Sequence, residues 1–210
     1  MSSNEARIWA VIGASGSGKS AFVKSVLLKP AAARARLIVW DYMREYDGLT
    51  TAQVEDIPAL VEAVRGKRFA VAFRPSFDGK LRARQFEHFC RVGYALGACT
   101  VVVEELAFVT MPSFAPPAWS MVTCTGRHKG LTVIGCSQRP AQIDKNFLGN
   151  CSTVHCGRLN DVNDVRVMAR CVGAAESDLR ALAPLEWIER DMATGETRRG
   201  RVDPRRLPVT

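Results

Sequence analysis

The chain has no apolar run approaching the roughly 20 residues that a membrane-spanning helix requires. Its first residues, Met1-Ser2-Ser3-Asn4-Glu5, lack the basic-then-apolar pattern of a secretory signal. These two absences place the protein, as an expectation, in a cytoplasm. No C-x-x-C pair occurs, and the seven cysteines are odd in number and scattered, several inside apolar runs. That argues for reduced core thiols over a disulfide framework. Cys151, His155 and Cys156 are near one another in sequence, but their spacing fits no usual zinc pattern and a fourth ligand is missing. No internal repeat, long linker or low-complexity block interrupts the 210 residues. Acidic residues are in deficit, 21 against 29 Lys and Arg, for a formal net charge of +8. Such a balance favours a polyanionic partner without specifying one.

What is present is an ordinary globular composition, 47% hydrophobic and 24% charged, long enough for one sizeable α/β domain. The informative stretch is Gly13-Ala14-Ser15-Gly16-Ser17-Gly18-Lys19-Ser20, followed by Ala21. It has the spacing G-x-x-x-x-G-K-S between an apolar run, Ile8–Ile12, and an apolar-periodic segment reaching about Leu28. Strand, glycine turn and helix therefore stand in the order a phosphate-binding loop needs. Gly13, Gly16 and Gly18 free the backbone to turn its amides inward, and the helix N-terminus adds its dipole. In such a loop Lys19 reaches the β- and γ-phosphates and Ser20 ligates Mg²⁺.

A second stretch, Thr100-Val101-Val102-Val103-Glu104-Glu105, is a buried-type strand ending in two acids. Adjacent carboxylates at the end of an apolar strand are costly unless solvated or paired with a cation. This has the form of a Walker B element, with Glu104 in the Mg²⁺ shell and Glu105 polarising the attacking water. Gln138, after the strand Leu131–Cys136, is placed to sense the γ-phosphate; a turn role is the plain alternative. Asp41, closing the strand 36–40, either faces the ligand crevice or caps a turn. Further strands are expected at 68–73 and 151–156, and helices at 53–64, 80–96, 118–129, 160–171 and 174–182. A hairpin is expected over 186–190 and 196–201. Lys80, Arg82 and Arg84 are weak candidates for contacting nucleic acid, their ordinary meaning being a solvated helix face. The basic tail, Arg198–Arg206, reads equally as a nucleic-acid or subunit contact and as a free end.

GASGSGKS, VVVEE and GRHKGLTVIGCSQRP, in that order, resemble the FtsK–HerA family of P-loop ATPases over about residues 7–140. The segment WDYMREY resembles the loop after the second strand in HerA-like and Zot-like members. Among members, the short chain is most similar to the compact DNA-packaging ATPases of tectivirus-like, internal-membrane viruses. The resemblance implies an α/β fold of the additional-strand (RecA-like) type, mostly parallel, with the Walker B strand between the P-loop strand and the next. One domain is expected over 1–210, its core about 6–158, with helices, hairpin and tail over 159–210. It also implies ATP and Mg²⁺ as cofactors and a ring, a hexamer, with ATP at subunit interfaces. Gln138 matches the family's sensor glutamine, and Arg127 an arginine acting in trans on the neighbour's nucleotide. Glu104 stands where many relatives carry Asp, which leaves open whether Glu104 and Glu105 exchange roles. The function implied is double-stranded DNA translocation for viral genome packaging, with a capsid or viral-membrane vertex protein as a further partner and a place in the host cytoplasm or the virion. A Zot-like phage-assembly ATPase and a P-loop small-molecule kinase are the alternatives.

Overall fold

A computed structural model describes residues 7–28 and 35–203. One nine-stranded sheet runs through them in the order β3-β4-β2-β5-β6-β1-β7-β8-β9. The strands are β1 (Ile8–Ile12), β2 (Arg36–Trp40), β3 (Ala52–Val54), β4 (Phe69–Phe73), β5 (Thr100–Val103), β6 (Thr132–Ser137), β7 (Thr153–Gly157), β8 (Glu186–Asp191) and β9 (Thr197–Arg201). All pairings from β3 to β7 are parallel; β8 and β9 add an antiparallel hairpin at the β7 edge. The Walker B strand β5 stands between β1 and β2 in the order, as the resemblance implied, with β6 interposed directly against β1.

Near-continuous apolar strands suit a parallel sheet covered on both faces. Alternation divides each strand between two cores. Ile8, Ala10 and Ile12 of β1 join Ile38 and Trp40 of β2 in the larger core. Val11, Leu37 and Val39 face the smaller one, which holds Phe22, Val23 and Leu28 behind the glycine loop. The larger core is roofed by α2 (Ile57–Ala63), α3 (Gly79–Leu96), α4 (Pro117–Thr125), α5 (Lys145–Asn150), α6 (Val162–Val172) and α7 (Glu176–Arg180). Aspartates fix where four of these begin, their carboxylates accepting first-turn amides: Asp56 for α2, Asp78 for α3, Asp144 for α5 and Asp161 for α6.

Three departures from expectation have local causes. The segment 53–64 is not one helix. Ala52–Val54 pairs with β4 as an edge strand, and α2 starts only after the Asp56 cap, with Pro58 in its first turn. The glycine-loop helix is α-helical only as α1 (Lys19–Phe22), then π-helical over Val23–Leu27. The Ser25 hydroxyl donates to the Ala21 carbonyl at 2.6 Å, occupying the acceptor its own amide would use in an α-helix. Helix α5 escaped a periodicity reading because six residues show too little of a 3.6 repeat. Lys29-Pro30, where the restriction on a residue before proline is expected to end the loop helix, and the tail beyond Asp203 lie outside the described residues.

Candidate nucleotide site

The loops leaving the carboxyl ends of β1, β2, β5 and β6 enclose a cleft of about 300 Å³ lined by residues from each. From the glycine loop come Ser15, Gly16, Gly18, Lys19, Ser20 and Ala21; opposite them stand Glu104, Glu105 and Gln138. Gly16 and Gly18 adopt φ of 72° and 95°, conformations that strain a residue with a Cβ. Gly13 answers to space instead, a correction to its expected role. Its φ is not positive, and a Cβ there would overlap the Ser17 hydroxyl beneath the loop. Ser17 is likewise buried and off the cleft wall. Unlike the aspartate-capped helices, α1 has no side-chain cap, which leaves its N-terminal amides for an anion in the cleft. Lys19 is buried and its ammonium donates to the Ala14 carbonyl at 3.3 Å.

The two acids occupy different settings. Glu105 sits in the left-handed region with φ 53°, rare for a residue bearing a Cβ and typical of functional turns. Its carboxylate accepts from the Gln138 amide at 2.5 Å, so sensor and base candidates form one bonded pair. Glu104 is buried and accepts a hydrogen bond from the Tyr46 hydroxyl at 2.5 Å. Burial raises the Glu104 carboxyl above its ordinary range, and the Tyr46 hydroxyl and Lys19 ammonium pull it back in part. Asp41 resolves toward the turn role: its carboxylate accepts the amides of Glu45 at 2.9 Å and Tyr46 at 3.1 Å. That turn holds Tyr46 under Glu104 and places Met43 and Glu45 on the cleft wall. Glu45 pairs with Lys24 at 3.2 Å.

Arg127 lies away from this cleft. It is exposed on the 3-10 turn Gly126–Lys129, which precedes β6. The cleft is at the other end of that strand, where the Gly13 amide donates to the Ser137 carbonyl. His155 and Cys156 face the two cores instead of a common centre. His155 stacks on Phe22 with centroids 3.7 Å apart and lies 3.1 Å from a Glu189 carboxylate oxygen. Among the described residues no group of three or more His, Cys, Asp or Glu side chains is disposed to hold a metal by itself.

Protein P9 of Pseudoalteromonas phage PM2 is 30% identical over 176 residues, covering 82% of this chain and 78% of its own. The chain belongs to the family of phage PM2 protein P9. No protein-family model matches it. Solved structures show the fold. The genome packaging NTPase B204 of Sulfolobus turreted icosahedral virus 2, bound to AMPPCP, superposes with a TM-score of 0.78 at 17% identity, over 94% of this chain and 98% of its own. VirB4 of Thermoanaerobacter pseudethanolicus gives 0.72 at 12%, over 95% and 90%. The N-terminal domain of zonular occludens toxin from Neisseria meningitidis gives 0.56 at 14%, over 96% and 97%. This P9-family chain thus has the fold of a compact P-loop ATPase, and no helix among its described residues is long and apolar enough to cross a membrane.

Tyr46 is the site residue that sequence reasoning missed. Its partner is 58 positions away, and only the pairing of β2 with β5 brings them together. Tyr46→Phe is expected to lower unfolding free energy by about 1.5–3 kcal/mol, the scale of a hydrogen bond to a charged group. It also removes a group that holds the Glu104 pKa down, so the acidic limb of any turnover–pH profile moves to higher pH. Denaturant titration and a pH–rate series check both; no change in either would exclude this positioning role.

Proposed function

We propose that this P9-family protein is an ATP-hydrolysing motor that moves double-stranded DNA, acting as a ring in viral genome packaging. The observation that carries the hydrolase reading is the Glu105–Gln138 pair facing Lys19 and Ser20 across one cleft. In this reading Glu105 accepts a proton from the water that attacks the γ-phosphate, and Gln138 holds that carboxylate and registers the phosphate's departure. Lys19 and the loop amides take the charge that builds on the phosphate oxygens. Ser20 and Glu104 would hold Mg²⁺, whose charge offsets that of the triphosphate; a hydroxyl and a carboxylate beside substrate phosphates suit its preference for oxygen ligands. A hexamer supplies Arg127 to the neighbouring cleft.

The DNA-moving part rests on the likeness to B204, named as a packaging NTPase, together with the net charge of +8. The weaker likeness to the zonular occludens toxin domain favours packaging over phage extrusion. A capsid or vertex protein would anchor the ring, and the work would be done in the host cytoplasm or at the virion. ATP turnover with and without duplex DNA, across a salt series, tests the reading. Stimulation is expected at low salt and should fade as salt rises, because backbone contacts release counterions. Turnover indifferent to DNA at low salt would remove the translocase function and leave the hydrolase.

A further inference from the structure

Outside the cleft, loops from three strands bring aromatic rings together at the surface. Tyr42 follows β2, Phe77 follows β4 and Phe108 follows β5. The Tyr42 ring lies 5.6 Å from Phe77, edge-on, and 4.7 Å from Phe108. Phe77 and Phe108 nevertheless remain 66% and 49% exposed. Guanidinium groups sit over the rings: Arg82 is 5.4 Å from the Tyr42 centroid and 5.7 Å from that of Phe108. Arg44 is 5.7 Å from the Phe77 centroid. Arg82 is fixed there by donating to the Phe77 and Phe108 carbonyls at 3.0 and 3.4 Å.

The same end of α3 displays Lys80 and Arg84, both exposed. Among the described residues no carboxylate forms an ion pair with Lys80, Arg82 or Arg84. Elsewhere on the helices Arg91, Arg166 and Arg180 are each matched by a glutamate. A surface that combines exposed aromatic rings with cations that no carboxylate offsets matches a ligand carrying both an anionic backbone and flat apolar groups.

We propose that Tyr42, Phe77 and Phe108, with Arg82, Lys80 and Arg84, form the DNA-contacting element of this chain. The inference rests on the translocase reading and deepens it. The deoxyribose edge of a strand lies on the rings, joined by an unpaired base where the DNA is single-stranded, and the cations take the flanking phosphates. The element is also wired to the cleft. Tyr42 adjoins Asp41, whose turn carries the Tyr46 that bonds Glu104. The Phe108 amide donates to the Glu105 carbonyl at 2.9 Å. A strand that displaces the rings therefore displaces the supports of both acids.

The test uses the full chain and fluorescence anisotropy on a short labelled duplex and on its single strand, over a salt series. Phe77→Ala combined with Phe108→Ala is expected to weaken binding roughly 10–100-fold, the scale of lost stacking on one or two bases. Lys80→Ala combined with Arg84→Ala should reduce the slope of log affinity against log salt by about 2, one for each phosphate contact. Circular dichroism controls for folding, and the milder Phe77→Leu stands in if the double ring variant unfolds. Wild-type affinity and slope in both pairs would overturn the assignment, as would unchanged DNA binding with an altered sedimentation mass, which would make the patch a contact between copies. A wild type that binds neither DNA form sinks the translocase reading along with the patch. Binding of single strand alone supports the patch and counts against duplex movement.

Discussion

Glu105→Gln is expected to slow ATP turnover by about 10²–10⁴-fold, the usual worth of a positioned general base, while nucleotide binding persists. The argument is geometric. The backbone at Glu105 turns through φ 53°, which lifts its carboxylate off the end of β5 and into the cleft beside Ser20 and Lys19. One of its oxygens is taken by the Gln138 amide, leaving the other to accept a proton from water. Glutamine has the same shape and can still present an oxygen to Gln138, so the turn and the cleft survive. It cannot take the proton. The parallel substitution Glu104→Gln separates the two acids. Glu104 is bonded to Tyr46 and feels Lys19, so its loss should weaken Mg²⁺-dependent nucleotide affinity more than the chemical step. Binding of a fluorescent ATP analogue, together with single-turnover hydrolysis, reads both effects. Full turnover in Glu105→Gln with loss in Glu104→Gln would mean the roles are exchanged.

The parts of this cleft that the sequence made legible are those whose chemistry is local. A glycine loop with its lysine and serine is contiguous, and two acids at the end of an apolar strand announce themselves by their cost. The parts that stayed hidden depend on pairing at a distance. Tyr46 reads as one more aromatic in a polar loop until β2 and β5 are laid side by side. Asp41 could not be assigned between crevice and turn because both are satisfied at a strand's carboxyl end; the amides of Glu45 and Tyr46 decide it. The motif suggests backbone freedom at Gly13, but what requires glycine there is space, since Ser17 and Gly157 leave no room for a Cβ. The sheet's central order followed from the resemblance. The edge strand β3 did not, because three residues beside a helix carry no period of their own. The patch of exposed rings was equally invisible, since its members come from three separate loops.

Arg127→Ala should cost about 10³–10⁵-fold in turnover, the range for an arginine that stabilises a transferring phosphoryl group, although Arg127 touches nothing in its own cleft. Its turn is held rigidly. The Leu131 amide donates to the Gly126 carbonyl at 3.1 Å, Gly130 to Arg127 at 3.0 Å and Ala98 to Lys129 at 2.7 Å. From there β6 runs six residues to the cleft. At about 3.3 Å per residue that is roughly 20 Å, well beyond the span of an arginine side chain. In the proposed ring the residue therefore acts on another copy. This gives a decisive mixing experiment. Lys19→Ala and Arg127→Ala should each be inactive alone. Mixed in equal amounts, they should recover activity, because roughly one interface in four of a randomly assembled closed ring joins an intact cleft to an intact arginine. Recovery requires subunit exchange, which sedimentation of differently labelled chains verifies. If exchange occurs and the mixture stays inactive, the arginine is not supplied in trans; if Arg127→Ala alone retains wild-type turnover, the cleft works without it.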